Sequence, residues 1–551
     1  MSVLCFANFA FAQDIEQFLQ ILEGQSVAEK AHKCGTHLVL ELRNSKLSEK
    51  EKFRLNKISE RPTNQFSYTT PSSKFTIHFD ISGENAVSLE DSDNSGTPDY
   101  VELMLETFDS VYRFEIDTLG YTAPPISTTL GSGKYDIYIE NFNGGVFAYT
   151  DSDDGNKFNS YIRMDNNYTE GSYSTQGIDA VKVTAAHEFL HMVQFGLLGG
   201  SILNDEIPFA EMSATWMEDV MFEGINDYYN YLDGFSNAPE TFLFSGKNNY
   251  RFGASIWCHF LEEKFGRNIV REIWNGITAS KRNYHITDTI LTDSLGTSFE
   301  DAYNEFVIWT FFTGKRTVEN QFFSEAEFYP ETFYSQVFDW TGIATSVEFG
   351  TSELPTFLSP ISYKNFKITK NISTEISNEF VILPTENKVQ FLSLGFANGS
   401  PMIDTLEIST SEEKINLSLQ ENALYLISSQ FVEENDFALR LVSNKIEIAA
   451  DNFSLKHNEI LDFRKEQFLN LLVSIEDCGS CTGSELPEIL IFSSSGREVK
   501  KITSYNSFEN FEFSLIWDGT NKENQKVATG VYILLARIGS KIQKSKVAVV
   551  K

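Results

Sequence analysis

The sequence predicts a multidomain chain, with an α+β domain behind a short helical lead and all-β sandwich domains after it. Three observations carry this. At 551 residues the chain is too long for one hydrophobic core. Residues up to about 325 mix strand-like runs with longer segments of helical period, VTAAHEFLHMVQF among them. From about residue 330, short runs such as EFVILP, KVQFLSLGF and LYLISSQF recur about every ten residues between polar turns, the texture of a sandwich.

The composition is that of a folded protein: 41% hydrophobic, 22% charged, 47 Phe and 22 Tyr against 13 Pro. A formal charge of −33 repels phosphate and argues against DNA, RNA or an anionic membrane as partner. No segment reaches about 18 uninterrupted apolar residues, so no transmembrane helix is expected. Residues 1–12, an apolar run ending Ala10-Phe11-Ala12, read as the end of a secretory signal, which makes the protein secreted or cell-surface. Of the five cysteines, Cys478 and Cys481 read as a small loop-closing disulfide in preference to a zinc half-site or a redox pair.

Residues 13–65 read as a helical lead or propeptide, with helices over DIEQFLQILEG, SVAEKAHK and LSEKEKFRLNKISE. A strand is expected at Phe75–Phe79, followed by the acidic loop D-S-D-N-S-G-T-P-D-Y-V-E. Asp91, Asp93, Ser95, Thr97, Asp99 and Glu102 stand at loop positions 1, 3, 5, 7, 9 and 12, with Gly96 at the turn. Alternating oxygens closed by a carboxylate predict a structural Ca²⁺ site. A helix follows, over YVELMLETFDSVYRF, and no helix precedes. Strands KYDIYIE, GVFAYT and NSYIRMD come next, with turns at Asn143-Gly144 and Asp151–Gly155; the acidic second turn reads as a solvated hairpin tip before a cation site.

The chemistry concentrates at His187-Glu188-x-x-His191. On a helix the two histidines share one face, roughly 6 Å apart at their bases, and can reach one tetrahedral Zn²⁺. Glu188 then stands beside the open coordination position, ready to take a proton from water. Gly196 is the expected stop of this helix. Pro208 suits the first turn of a second helix that carries Glu211, 20 positions after His191, as a third ligand. Glu218, two turns on, is the alternative. Further helices are expected at residues 225–234, 250–265, 268–276 and 298–313, with His259 a core residue.

H-E-x-x-H followed by this helical glutamate resembles the gluzincins, the thermolysin-like zinc metallopeptidases. The resemblance implies a zincin catalytic domain over residues 66–325, zinc on His187, His191 and Glu211, Glu188 as general base, and a protein or peptide substrate held along an edge strand. The family's aspartate four residues after the ligand glutamate is Thr215 here. Tyr250, shortly before Gly253, resembles the zinc-aminopeptidase tyrosine that donates to the developing oxyanion. Lys33-Cys34-Gly35-Thr36 is similar to the cysteine-switch peptide of matrix metallopeptidases, which would make Cys34 a thiolate cap on the zinc; a structural cysteine or a disulfide to Cys258 are the other readings.

A β-sandwich is expected over residues 330–448 and an Ig-like module over 450–551. The module's Trp517-Asp-Gly-Thr-Asn521, Gly530-Val-Tyr532 and final KVAVVK resemble the Ig-like unit related to the flagellar hook-capping protein, and its ending is similar to a type IX secretion signal. That implies bacterial secretion machinery as a partner. As a whole the chain resembles exported bacterial gluzincin-type peptidases. The expected function is a secreted zinc metallopeptidase, an endopeptidase by default. A non-catalytic secreted or surface binding protein with a structural metal site is the first alternative, and a zinc hydrolase acting on something other than a peptide is the second.

Overall fold

A computed structural model describes residues 12–25, 29–153 and 156–334, and beyond them the strands and turns named below together with short connections up to residue 551. The signal expected at the N-terminus and the Cys478/Cys481 pair lie outside the described residues. The chain divides into two compact units, residues 1–333 with 361–363, and the remainder. The α+β and multidomain character expected from the sequence is present.

The first unit is built on a five-stranded sheet. Its strands are β1 (Phe66–Tyr68), β2 (Phe75–Phe79), β3 (Tyr135–Glu140), β4 (Ala148–Asp153) and β5 (Asn156–Asp165), in spatial order β1-β2-β3-β5-β4. The central pairs β2/β3 and β3/β5 are parallel, whereas β4 returns antiparallel to β5 and forms an edge. Parallel strands lie buried on both faces, and β3 accordingly reads YDIYIE with nearly every residue covered. The helices α1 (Ala12–Leu22), α2 (Thr36–Asn44) and α3 (Glu49–Ile58) come first in the chain. Ser48 and Glu51 close a reciprocal capping box at the start of α3. Leu19, Leu22, Leu38, Leu42 and Leu55 pack with Phe142, Val146 and Tyr149 in one core. The helical lead is therefore part of the first unit's core.

Of the helix expected over SVAEKAHK, residues 26–28 lie outside the described residues and Glu29–Lys33 are not helical. Glu29–Gly35 forms no helix and α2 begins only at Thr36, because the backbone around His32 and Gly35 is bonded to the sheet. His32 N–H donates to Gly145 O, Phe147 N–H to His32 O and Gly35 N–H to Ala148 O. A Cβ on Gly35 would stand 3.0 Å from Tyr149 Cβ, so glycine permits this close approach.

Helix α4 (Asp99–Tyr112) follows the acidic loop directly. Helix α5 (Gly177–Leu203) lies against β5 and β4, with Phe189 packed among Phe75, Tyr112 and Tyr135. It does not stop at Gly196, where a Cβ would crowd Pro124 and Pro125 at 2.9 Å. It breaks at Gly199, whose φ of 65° favours glycine. Helix α6 (Ile207–Phe222), with Pro208 in its first turn, packs on α5. Further helices include Tyr250–Gly253, Ile256–Phe265, Asn268–Gly276, Phe299–Phe311 and one the sequence reading did not anticipate, Asn283–Ile290. Of the acidic turn, Asp151 and Asp153 are buried on β4, paired with Arg43 and Arg61 at 2.6 and 2.8 Å, and Asp154 and Gly155 lie outside the described residues.

In the second unit, strands between 336 and 443 pair among themselves, and those between 452 and 551 do likewise. In the latter, Leu471, Val473 and Trp517 of one sheet share a core with Ile489, Leu534 and Val547 of the other. Trp517 donates to Thr520 O and packs on Tyr532 at 5.5 Å, which accounts for two of the module's sequence signatures. No helix among the described residues is long and apolar enough to cross a membrane.

Candidate metal centre

Helix α5 presents His187, Glu188 and His191 toward α6 and the β4 edge, all fully buried. From α6 comes Glu211. His187 Nε2 lies 3.1 Å from His191 Nε2, and Glu211 Oε2 lies 3.2 and 3.5 Å from these two nitrogens. A fourth atom joins them from the N-terminal segment: Cys34 Sγ, 3.4 Å from His191 Nε2. Ligand atoms about 2.0–2.3 Å from one tetrahedral zinc stand roughly 3.3–3.6 Å apart, so the spacing fits a single ion of that size.

The proton bookkeeping favours a cation. His187 Nδ1 donates to Glu218 Oε1 at 2.7 Å, and His191 Nδ1 donates to Gln194 Oε1 at 2.7 Å. Gln194 is fixed in that orientation by its own donations to Ala210 O and Ser213 Oγ. In the neutral imidazoles both Nε2 atoms therefore present lone pairs to each other, beside a carboxylate and a sulfur. Burial would lower the His187 pKa, but Glu211 and Glu218 outweigh it and lift it to about 9. Burial likewise opposes ionisation of Glu211, and His191 and His187 outweigh it to hold the carboxyl well below its usual range. The pocket demands positive charge, which a proton or a metal ion can supply.

Glu188 is positioned by two hydroxyls. Thr150 on β4 donates to its Oε2 at 2.7 Å and Thr36 at 3.2 Å, while Oε1 is buried without a hydrogen-bond partner. Glu218 is the carboxylate that orients His187, a role that leaves the inner position to Glu211. Its other oxygen pairs with buried Lys33 at 2.8 Å, and Lys33 in turn meets Asp227 at 2.6 Å. Thr215, where the gluzincins carry aspartate, is buried with its hydroxyl unpartnered. Gln194 and Glu218 had signals in the sequence, three residues after His191 and two turns after Glu211. Thr150 had none; Lys33 and Thr36 stand in the Lys33-Cys34-Gly35-Thr36 motif, but only folding brings Lys33 to Glu218 and Thr36 to Glu188.

The other candidates stand as follows. Cys34 and Cys258 are both free, so the disulfide between them is not formed. The Tyr250 hydroxyl donates to Thr241 O and its ring packs on Phe235; it is not among the groups assembled around His187. His259 stacks on Tyr228, and burial pushes its pKa down to about 3. In the acidic loop, Asp91, Asp93 and Asp99 offer oxygens within 4.8 Å of one another. The Ser95 amide donates to Asp91 and Asp93, and the Ser95 hydroxyl donates to Glu102 at 2.8 Å. The Ser92 hydroxyl donates to Asp99, and the Thr97 carbonyl lies 3.3 Å from Ser95 Oγ.

Residues 40–326, just over half of the chain, match the model of a family described as a family of unknown function, DUF6055. The chain belongs to this family. The matched stretch holds His187, Glu188, His191, Glu211 and Glu218, and begins after Cys34. No curated protein matches. Among solved structures, PorZ, a surface component of the type-IX secretion system of Porphyromonas gingivalis, is 14% identical over 20% of this chain and 14% of that one, with a TM-score of 0.14. The extracellular region of zebrafish Gpr126/Adgrg6 is 10% identical over 38% of this chain and 30% of that one, at 0.14. A β-glucuronidase of Ruminococcus gnavus is 8% identical over 34% and 35%, at 0.13. The chain spans about a third or less of each of these, and overlaps so slight identify neither fold nor activity.

Proposed function

We propose that the protein is a secreted, zinc-dependent metallopeptidase of gluzincin type that hydrolyses peptide bonds, with endopeptidase action the default. The observation that carries this reading is the convergence of His187 Nε2, His191 Nε2 and Glu211 Oε2 beside Glu188, whose Oε1 is buried and makes no hydrogen bond among the described residues. Zinc held by those three residues would supply a Lewis acid that acidifies water and polarises a carbonyl. Glu188 Oε1 is free to take the water proton and return it to the leaving amine, while Thr150 and Thr36 hold Oε2. Glu218 and Gln194 fix the imidazole tautomers. The β4 edge beside α5, where Gly35 N–H donates to Ala148 O, is the place at which an extended peptide would pair. The Tyr250 oxyanion role draws no support from the tyrosine's bond to Thr241.

A Ca²⁺ ion at Asp91, Asp93, Ser95, Thr97, Asp99 and Glu102 belongs to the same proposal as a structural support for α4, which starts inside the loop. So does export through bacterial secretion machinery reading the C-terminal module.

One observation favours a second reading. With Cys34 beside the three other ligands the site has four protein donors, as structural zinc sites do, and a non-catalytic binding protein would need no more. Zinc content and cleavage of casein or a peptide library, compared for wild type and Glu188→Gln, separate the two. The peptidase reading expects one zinc in both and cleavage reduced about 10²–10⁴-fold in the variant. Undiminished cleavage by Glu188→Gln would remove Glu188 from the mechanism. Zinc in both with no cleavage by any form of the chain, including one with Cys34 replaced, would favour the structural site.

A further inference from the structure

We infer that Cys34 is a fourth ligand to the metal held by His187, His191 and Glu211, and that the segment Ala31–Thr36 thereby keeps the site closed until it is displaced. The ligand assignment stands on the site geometry alone; the closure rests on the peptidase reading.

The Cys34 sulfur sits 3.4 Å from His191 Nε2 and within 4.8 Å of the His187 and Glu211 ligand atoms. It fills the position that a catalytic zinc site keeps open for water or substrate. The segment around it is built into place on three sides. Its backbone runs along the edge of the sheet at residues 145–148, bonded through His32 and Gly35, where an edge strand's N–H and C=O groups would otherwise receive a peptide.

Beside it, Lys33 is buried in an ion-pair cluster with Glu218 and Asp227, with Phe147 and Tyr231 rings around the ammonium. Asp227 also accepts from Ser174, and its other contacts include Thr175. On the far side, Thr36 donates to the Glu188 carboxylate and accepts from the Thr150 amide. One six-residue stretch therefore occupies the metal, the base and the peptide-binding edge together. Helices α1 and α2 flank it and share a core with Phe142, Val146 and Tyr149, so it leaves only when that packing opens.

The test replaces zinc by cobalt in the full chain and reads the sulfur-to-cobalt charge-transfer band, with cleavage measured separately on the zinc forms. The expected result is a band in the wild type that is lost in Cys34→Ala while one cobalt stays bound to the remaining ligands. With zinc, Cys34→Ala should cleave casein at least about tenfold faster than the wild type, since the open fraction of the wild type is small. A cobalt-loaded wild type without the band, or a band of equal strength in Cys34→Ala, would overturn the ligand assignment. Equal cleavage by both proteins would overturn the closure. If the band behaves as expected and neither protein cleaves, the peptidase reading and the closure fall together, and Cys34 stands as the fourth ligand of a structural site. Should Cys34→Ala not fold, Cys34→Ser gives the same comparison, and absence of the band in the wild type remains decisive.

Discussion

Glu218 Oε1 accepts from His187 Nδ1 at 2.7 Å, two helical turns beyond Glu211 on the same buried face of α6. One helix thus supplies both the inner carboxylate and the carboxylate that orients an inner histidine. Glu211→Ala should abolish tight zinc binding. Glu218→Ala should leave the stoichiometry at one while weakening affinity about 10–100-fold, the usual effect of removing a partner that orients a ligand histidine. Competition with a chelating dye measures both. Normal affinity in Glu211→Ala with binding lost in Glu218→Ala would exchange the two roles.

The acidic loop makes a second prediction. Ca²⁺ should raise the unfolding temperature of the first unit and a chelator selective for calcium should lower it. At 100 times the dissociation constant the ion contributes about 2.7 kcal/mol. Asp93→Asn with Glu102→Gln should remove the response, because both side chains engage Ser95 at the centre of the loop. Calorimetry with and without Ca²⁺ reads the difference, and an unchanged response in the double variant would exclude the loop as the site.

Acid should destabilise the sheet through Asp136. Burial alone would raise this carboxyl, but His78, Ser132 and Arg61 outweigh it and hold the pKa below the ordinary value of 3.8. Its Oδ1 meets His78 Nε2 at 2.7 Å and its Oδ2 meets Arg61 Nη1 at 2.7 Å. A Cβ on Gly131 would stand 1.9 Å from Oδ2, so the loop closing on this carboxylate needs glycine there. A carboxyl lowered on folding stabilises above its ordinary pKa, and that contribution is lost as pH falls through the lowered folded value. Asp136→Asn should therefore cost about 2–3 kcal/mol at neutral pH. The deficit should narrow below about pH 4, where the wild type loses the same interaction. Urea titrations across that range test it; a deficit independent of pH would mean that the charge is not what matters.

By itself the sequence determined those parts whose physics is local. His187, Glu188 and His191 are set by helical spacing, and Glu211 by a proline-started helix at the right distance. The strand at Phe75–Phe79 and the helix after the acidic loop were legible from alternation and period. The module around Trp517 was legible from its turn residues.

Tertiary structure decided what long-range contact creates. SVAEKAHK has helical composition, yet its last residues are not helical because Gly145 and Phe147, just before β4, supply hydrogen bonds to His32 that a helix would have to forgo. Cys34 could have been an inert core thiol or half of a disulfide with Cys258; only the fold set it 3.4 Å from His191 and left Cys258 free. Thr150, 38 residues before Glu188, and Lys33, 185 residues before Glu218, reach the site only through the sheet. Side chains so distant along the chain meet because a buried charge such as that of Lys33 or Glu218 is stable only when it is paired. That requirement belongs to the folded interior, and no local pattern encodes it.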